Sequence, residues 1–164
     1  MSSPYLKVWL PFNSSTTYDA CGNSWTAVNS PTIAATNAVS GNALQLSGGA
    51  YLQTASKILI GGQDFTVDFW AYGNSSQVSW ASFFAFAGNY NSEQNGMFFA
   101  RDSSSSNLCC RFYNSSTSSI GETAISVAYT GARHHYAIIY LHSALQVKIY
   151  VDGELKSTIS LSAE

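Results

Sequence analysis

Charge is what this chain has least of. Seven Lys and Arg and nine Asp and Glu stand among 164 residues, for a net charge of −2. No basic run exists to neutralise a phosphate backbone, and aromatic stacking on single-stranded nucleic acid still needs a positive groove. Nucleic acid is therefore not an expected partner. Long apolar runs are missing too. None approaches the ~20 residues of a bilayer-spanning helix, so no membrane partner is expected either. The opening MSSPYLKVWLPF lacks the charged-then-apolar order of a secretion signal. Cysteine is sparse and odd in number, so Cys21, Cys109 and Cys110 make no disulfide framework. Adjacent on an expected strand, Cys109 and Cys110 point to opposite faces, Cys110 as a core hydrophobe and Cys109 half-exposed.

What is present is aromatic and β-branched. Aromatics make up 14% of the chain, set among Ser, Thr, Asn and Gly, while Glu and Lys are scarce. That is the composition of sheets joined by polar turns, and the length suits one domain spanning residues 1–164. The clearest stretch is HHYAIIYLHSALQVKIYVDGELKSTI, residues 134–159. It reads as a three-strand meander whose last turn is Asp152-Gly153, a pair that tolerates the positive φ of a type I′ hairpin. Val147, Ile149 and Val151 alternate with Gln146, Lys148 and Tyr150, one face buried and one wet.

Other strands are expected at Tyr5–Phe12, Ala43–Leu46, Tyr51–Thr54, Asp64–Tyr72, Ser82–Ala87, Gly96–Arg101, Leu108–Tyr113 and Ile120–Tyr129. Residues 43–46 and 51–54 read as a short hairpin around Gly48-Gly49. Residues 18–42 read as mostly irregular, residues 102–107 as a serine-rich turn, and residues 56–59 as the best single helical turn. Ten to twelve strands with two apolar faces to hide point to two stacked antiparallel sheets. A closed barrel is the alternative.

These landmarks, in order, resemble the laminin-G-like branch of the concanavalin A-like lectin/glucanase jelly rolls. LKVWLPFN is similar to that family's first strand, YDACGNSW to its Asp-x-x-Gly-Asn turn, and SGNALQLSGGAYLQ to its first hairpin. DFTVDFWAY resembles its phenylalanine-rich strand, and GARHHYAIIY with LQVKIYVDGELK its paired-histidine strand and YVDG hairpin. Arg133 stands where the family usually has tryptophan. The resemblance implies an all-β, two-sheet antiparallel jelly-roll sandwich lacking its closing C-terminal strand. An unpaired edge beside residues 5–12 follows, to be covered by a second copy or a neighbouring chain. A Met-initiated chain opening on LKVWLPFN also resembles laminin-G-like proteins of phage tails and baseplates, and bacterial surface proteins. An extracellular or virion-associated location is thereby implied, with no signal peptide in the chain.

The same superfamily holds glycoside hydrolases, which need two carboxyl groups roughly 5 to 9 Å apart across the scissile bond. The corresponding strand offers Asp64 and Asp68 flanking Thr66, and no Glu. Asp64 is expected to end a turn and Asp68 to pair with an Arg or Lys. His134 and His135, adjacent on a strand, cannot act together; one is expected to pack and the other to be solvated, with His142 in a turn. No nucleophile elbow, zinc spacing or phosphate-binding glycine loop is present. No catalytic residue and no enzyme activity are expected. Asn-x-Ser sequons begin at Asn13, Asn74 and Asn114.

The resemblance admits calcium as the one cofactor, and Asp19 with Asn23, or Asp102, offer oxygen ligands. An Asx-turn is the competing role for those residues. For ligand binding, the non-core parity selects Asp68, Trp70 and Tyr72 on one strand and Arg111 and Tyr113 on another. Arg101 stands at a strand end, and Trp80 and Tyr90 in or near loops. Rings flanked by hydrogen-bonding charges are what a sugar requires, although Trp70 serves equally as packing. The expected function is a non-catalytic carbohydrate- or surface-ligand-binding module for adhesion or attachment. A structural module of a phage tail or surface assembly is the alternative, and a hydrolase a distant third.

Overall fold

A computed structural model describes residues 5–54, 58, 62–74, 80–86, 96–102, 107–113, 119–126 and 130–162, and is all-β. The chain divides into two compact units, residues 1–59 and 60–164.

The first unit holds β1 (Trp25–Val28), β2 (Thr32–Ala34), β3 (Ala43–Gln45) and β4 (Tyr51–Thr54). Strands β3 and β4 lie where the sequence puts them, but they do not pair with each other. β2 pairs with β3 and β1 with β4, both antiparallel, so two strands form inside the stretch expected to be irregular. Side chains support this nesting. Asn29 Nδ2 donates to the Gly49 carbonyl at 3.0 Å, tying the β1–β2 turn to the β3–β4 turn, and Gln45 Nε2 on β3 donates to the Thr36 carbonyl at 3.0 Å.

Residues 5–12 correct the sequence reading. They are not a strand, despite the alternation, because their polar backbone groups bond a turn instead of a ladder. Trp9 N–H donates to Asp19 Oδ1 (3.0 Å), and the Trp9 carbonyl accepts from Ala20 N–H (2.9 Å). The Lys7 carbonyl accepts from Asn23 Nδ2 (2.7 Å), and Phe12 turns the chain with φ of 54°. Among the described residues, 5–12 therefore form no ladder strand.

The second unit holds β5 (Phe65–Tyr72), β6 (Ser82–Phe86), β7 (Gly96–Arg101), β8 (Leu108–Tyr113) and β9 (Ser119–Ile125). β10 (Arg133–Leu141), β11 (Gln146–Val151) and β12 (Glu154–Ser160) complete it. Two four-stranded antiparallel sheets result, in the orders β12-β11-β10-β5 and β6-β7-β8-β9. The meander from β10 to β12 is as expected. Its turn has Asp152 at φ 52° and Gly153 at φ 82°, the two positive values a type I′ turn demands. Along β5, Phe65, Val67, Phe69 and Ala71 face in, while Thr66, Asp68, Trp70 and Tyr72 face out.

The inward sides of both sheets share one core. Tyr136, Ile138, Val147 and Ile149 from the first meet Phe99, Leu108, Cys110 and Ile125 from the second. Phe69 stacks on Tyr136 at 5.3 Å between centroids and meets Phe99 edge-on at 6.0 Å. The two layers are joined at one side by Thr123 Oγ1 and Ser157 Oγ, 2.9 Å apart. Beyond β12, Ser162 N–H donates to the Ile120 carbonyl (2.9 Å). Residues 56, 57 and 59 of the expected helical turn, Val127, and the interior of the serine-rich loop lie outside the described residues. The ends of that loop are closed by Asp102 N–H donating to the Asn107 carbonyl at 2.9 Å.

Candidate functional site

The residues selected for ligand contact fall on opposite sides of the sandwich. Antiparallel register puts Ala85, Phe98, Arg111 and Glu122 in one row across the outer side of β6-β7-β8-β9. Trp80 precedes β6 and is anchored by its N–H to the Arg101 carbonyl (3.1 Å), with Arg101 N–H returning to Ala81 O (3.0 Å). Arg101 thus serves at its backbone to fix Trp80. The Trp80 backbone has φ of 63°, a left-handed value that is an outlier for a bulky residue. Its ring lies 4.4 Å from the Arg111 guanidinium carbon and meets Phe98 edge-on at 6.2 Å. Phe98 in turn stacks on Tyr113, with centroids 5.8 Å apart at 18°.

Arg111 holds this cluster together. Its Nη2 is 2.7 Å from Glu122 Oε1. Burial alone would lower the guanidinium, but hydrogen bonds with Tyr113 and Glu122 more than offset that and hold it above its ordinary value. Trp80 remains 38% exposed, enough for one side of the indole to meet a ligand. In the adjacent row Cys109 sits between Ala100 and Ala124. Cys109 was expected half-exposed and is 1% exposed instead. Burial pushes its thiol up to about 11, and that of Cys110 higher still, so neither is a nucleophile at neutral pH. All three cysteines are free.

On the other sheet β5 and β10 pair Trp70 with His135 and Tyr72 with Arg133. Among the described residues, Asp68 is not seen to pair with an Arg or Lys. Its partner is His135, with Nε2 3.0 Å from Asp68 Oδ1 and the imidazole 5.1 Å from the Trp70 ring. Neither histidine is simply packed or solvated, since each is tied to its own carboxylate. His134 Nδ1 lies 2.7 Å from Asp152 Oδ2, and His135 N–H donates to Asp152 Oδ1 at 2.9 Å. The hydrogen bond from His134, then that from His135 N–H, hold the Asp152 carboxyl below its ordinary value. The paired histidines therefore lock the Asp152-Gly153 turn onto the start of β10. Asp64 Oδ1 accepts from His142 N–H at 2.7 Å, at the start of a single 3-10 turn (His142–Ala144). Tyr90 lies outside the described residues.

Asp19 and Asn23 do not fit calcium. Both carboxylate oxygens of the buried Asp19 accept N–H donors: Trp9 N–H and Cys21 N–H (2.8 Å) at Oδ1, Asn23 Nδ2 (2.8 Å) and Trp25 Nε1 (3.0 Å) at Oδ2. Four donors use the lone pairs a cation would need, and Asn23 presents its amide nitrogen to Asp19. Burial would raise the Asp19 pKa, yet the bonds from Trp25, Asn23, Trp9 and Cys21 bring it below the ordinary value. Among the described residues no group of three His, Cys, Asp or Glu is placed to hold a metal ion. Nor does any helix among them have the length and apolarity to cross a membrane.

Sequence reasoning passed over Phe98 and Glu122, and gave His135 no ligand contact. Parity along GMFFAR, with Met97 and Phe99 inward, was signal enough for Phe98. Glu122 needed the β8–β9 register, which is shifted by an irregularity at Phe112/Tyr113.

No curated protein matches the chain. A family model of the laminin-G type, described as concanavalin A-like lectin/glucanases superfamily, matches residues 46–164, from the end of β3 through the whole second unit. Domains of this type are in general lectin-like or adhesion modules, commonly extracellular and typically non-catalytic, within a superfamily that also includes glycosidases. With both sheets, the paired-histidine strand and the hairpin of that pattern in place, the chain belongs to the laminin-G-like branch of the concanavalin A-like lectin/glucanase superfamily.

Proposed function

We propose that this chain is a non-catalytic attachment module that binds carbohydrate through the outer side of β6-β7-β8-β9, at an extracellular or virion surface. The observation that carries this reading is Trp80. A non-glycine residue in the left-handed region is strained by about 1–3 kcal/mol and persists only where its surroundings hold it. Here two backbone bonds, the Arg111 guanidinium and the Phe98 edge do so. The result is an indole fixed before any ligand arrives, beside an ion pair able to exchange hydrogen bonds with hydroxyls. Sugar C–H groups stack on such a ring, and prefixing it removes ordering entropy from binding.

Hydrolysis is disfavoured by the fate of the acids. Asp68 is joined to His135 and Asp64 to His142 N–H. Asp19 and Asp152 have lowered pKa values, the opposite of what a general acid requires.

The test is glycan-array binding by the wild type and by Trp80→Ala. Removing a central aromatic anchor typically costs 2 kcal/mol or more, so affinity is expected to fall roughly 30-fold. Arg111→Ala should weaken binding as well, by releasing both Trp80 and Glu122. Undiminished binding by Trp80→Ala would refute this site. Self-association without any glycan signal would instead favour a structural role in an assembly.

A further inference from the structure

Resting on that reading, we propose a second glycan-contact face on the opposite sheet, built from Trp70, Tyr72, Asp68 and His135, so that one chain holds two glycans pointing away from each other. The two sheets share a core through their inner sides, so their outer sides look in opposite directions. Sheets pack about 10 Å apart, and a small oligosaccharide stacked on one face does not reach the other.

Trp70 is 54% exposed and Tyr72 39%, two residues apart on β5 and therefore on the same side. Their neighbours across the strand are His135 and Arg133. The cluster is built rather than merely exposed. His135 is fixed through its backbone by Asp152 on one side of the chain and through Nε2 by Asp68 on another. It packs against Trp70 at 5.1 Å. Asp68 keeps 61% of its side chain exposed while His135 holds Oδ1, so it can accept hydrogen bonds from hydroxyls. Next to it, in register, stand Ala137 and then Tyr150. Ala137 adds only a methyl between them.

A hydroxyl-bearing ring suits this mixture better than an apolar protein surface does. An apolar partner would bury the exposed Asp68 carboxylate without supplying hydrogen bonds, at a penalty that grows with desolvation. A monomer with two such faces cross-links multivalent glycan surfaces.

The experiment uses the full chain labelled with 5-fluorotryptophan, its four indole resonances assigned by single Trp→Phe variants. It is titrated separately with maltotetraose, cellotetraose, triacetylchitotriose and a heparin-derived tetrasaccharide. The expected result is that at least one of these sugars moves the Trp70 resonance and the same or another moves that of Trp80. In addition, Trp80→Ala retains the Trp70 response and Trp70→Ala the Trp80 response. Movement of Trp80 alone overturns the second face and leaves the proposed function standing. Movement of Trp70 alone refutes the Trp80 site and, with it, the two-faced arrangement. No movement of either with any of the four overturns both.

Discussion

Four N–H groups converge on Asp19, and their effect on stability has a definite sign. The folded pKa lies below the ordinary value because the bonds outweigh the burial that opposes them. A depressed carboxyl stabilises the fold at every pH above its unfolded pKa of about 3.9, and that stabilisation is lost as pH falls through the folded value. Asp152, lowered chiefly by its bond from His134, acts in the same direction from the second unit. Replacing Asp19 by Asn keeps the shape but sets an amide NH2 against Trp25 Nε1 and Asn23 Nδ2. At neutral pH we expect Asp19→Asn to lose roughly 2–3 kcal/mol, the penalty for stranding donors that a charged acceptor satisfied. Urea melts followed by tryptophan fluorescence measure this. The gap between variant and wild type should narrow below about pH 4, as the wild-type carboxyl takes up its proton. A gap that stays constant to low pH would show that the donors are not what Asp19 contributes.

Among the strands, β9 depends on one glycine. A Cβ on Gly121 would collide with the Leu161 side chain and come within 2.9 Å of Ile159 Cγ2. The Ile159 and Leu161 side chains therefore pack directly on position 121, and a side chain there would force them to move. Gly121→Val should destabilise by about 1–3 kcal/mol through overpacking. Leu161→Ala in the same chain should recover part of that, giving a non-additive pair in thermal melts, whereas strict additivity would place the strain elsewhere.

The same strand shows where sequence reading stops. β5 was legible residue by residue because its period of two is unbroken and its two sides differ sharply. The Asp152-Gly153 hairpin was legible because few residue pairs suit its dihedrals. Glu122 opposite Arg111 was not, since the irregularity at Phe112/Tyr113 shifts the register and local alternation carries no trace of it. Residues 5–12 alternate as well as β5 does, yet the Asp19–Asn23 turn captures their backbone groups before a ladder can form. Parity put Trp70 and Tyr72 on the outward side of β5 and Tyr113 on that of β8, where the structure has them. The division of those rings between two sheets, and the strain at Trp80, arise from pairing and long-range bonds.

For the molecule as a whole, scarcity of charge sets how any ligand is held. With a net charge of −2 there is no field to steer or retain a polyanion. The cation nearest Trp80, Arg111, is already matched to Glu122 at 2.7 Å. Binding by stacking and hydroxyl hydrogen bonds does not depend on counterion release. The affinity for a neutral oligosaccharide is therefore expected to change less than about threefold when salt rises from about 50 to about 500 mM, where the Debye length falls well below 10 Å. A ligand held through many phosphates or sulfates would instead lose orders of magnitude over the same range, because each neutralised charge adds to the salt slope. Calorimetric titration of the best oligosaccharide across that range separates the two, and a steep slope would move the partner from neutral glycan to polyanion.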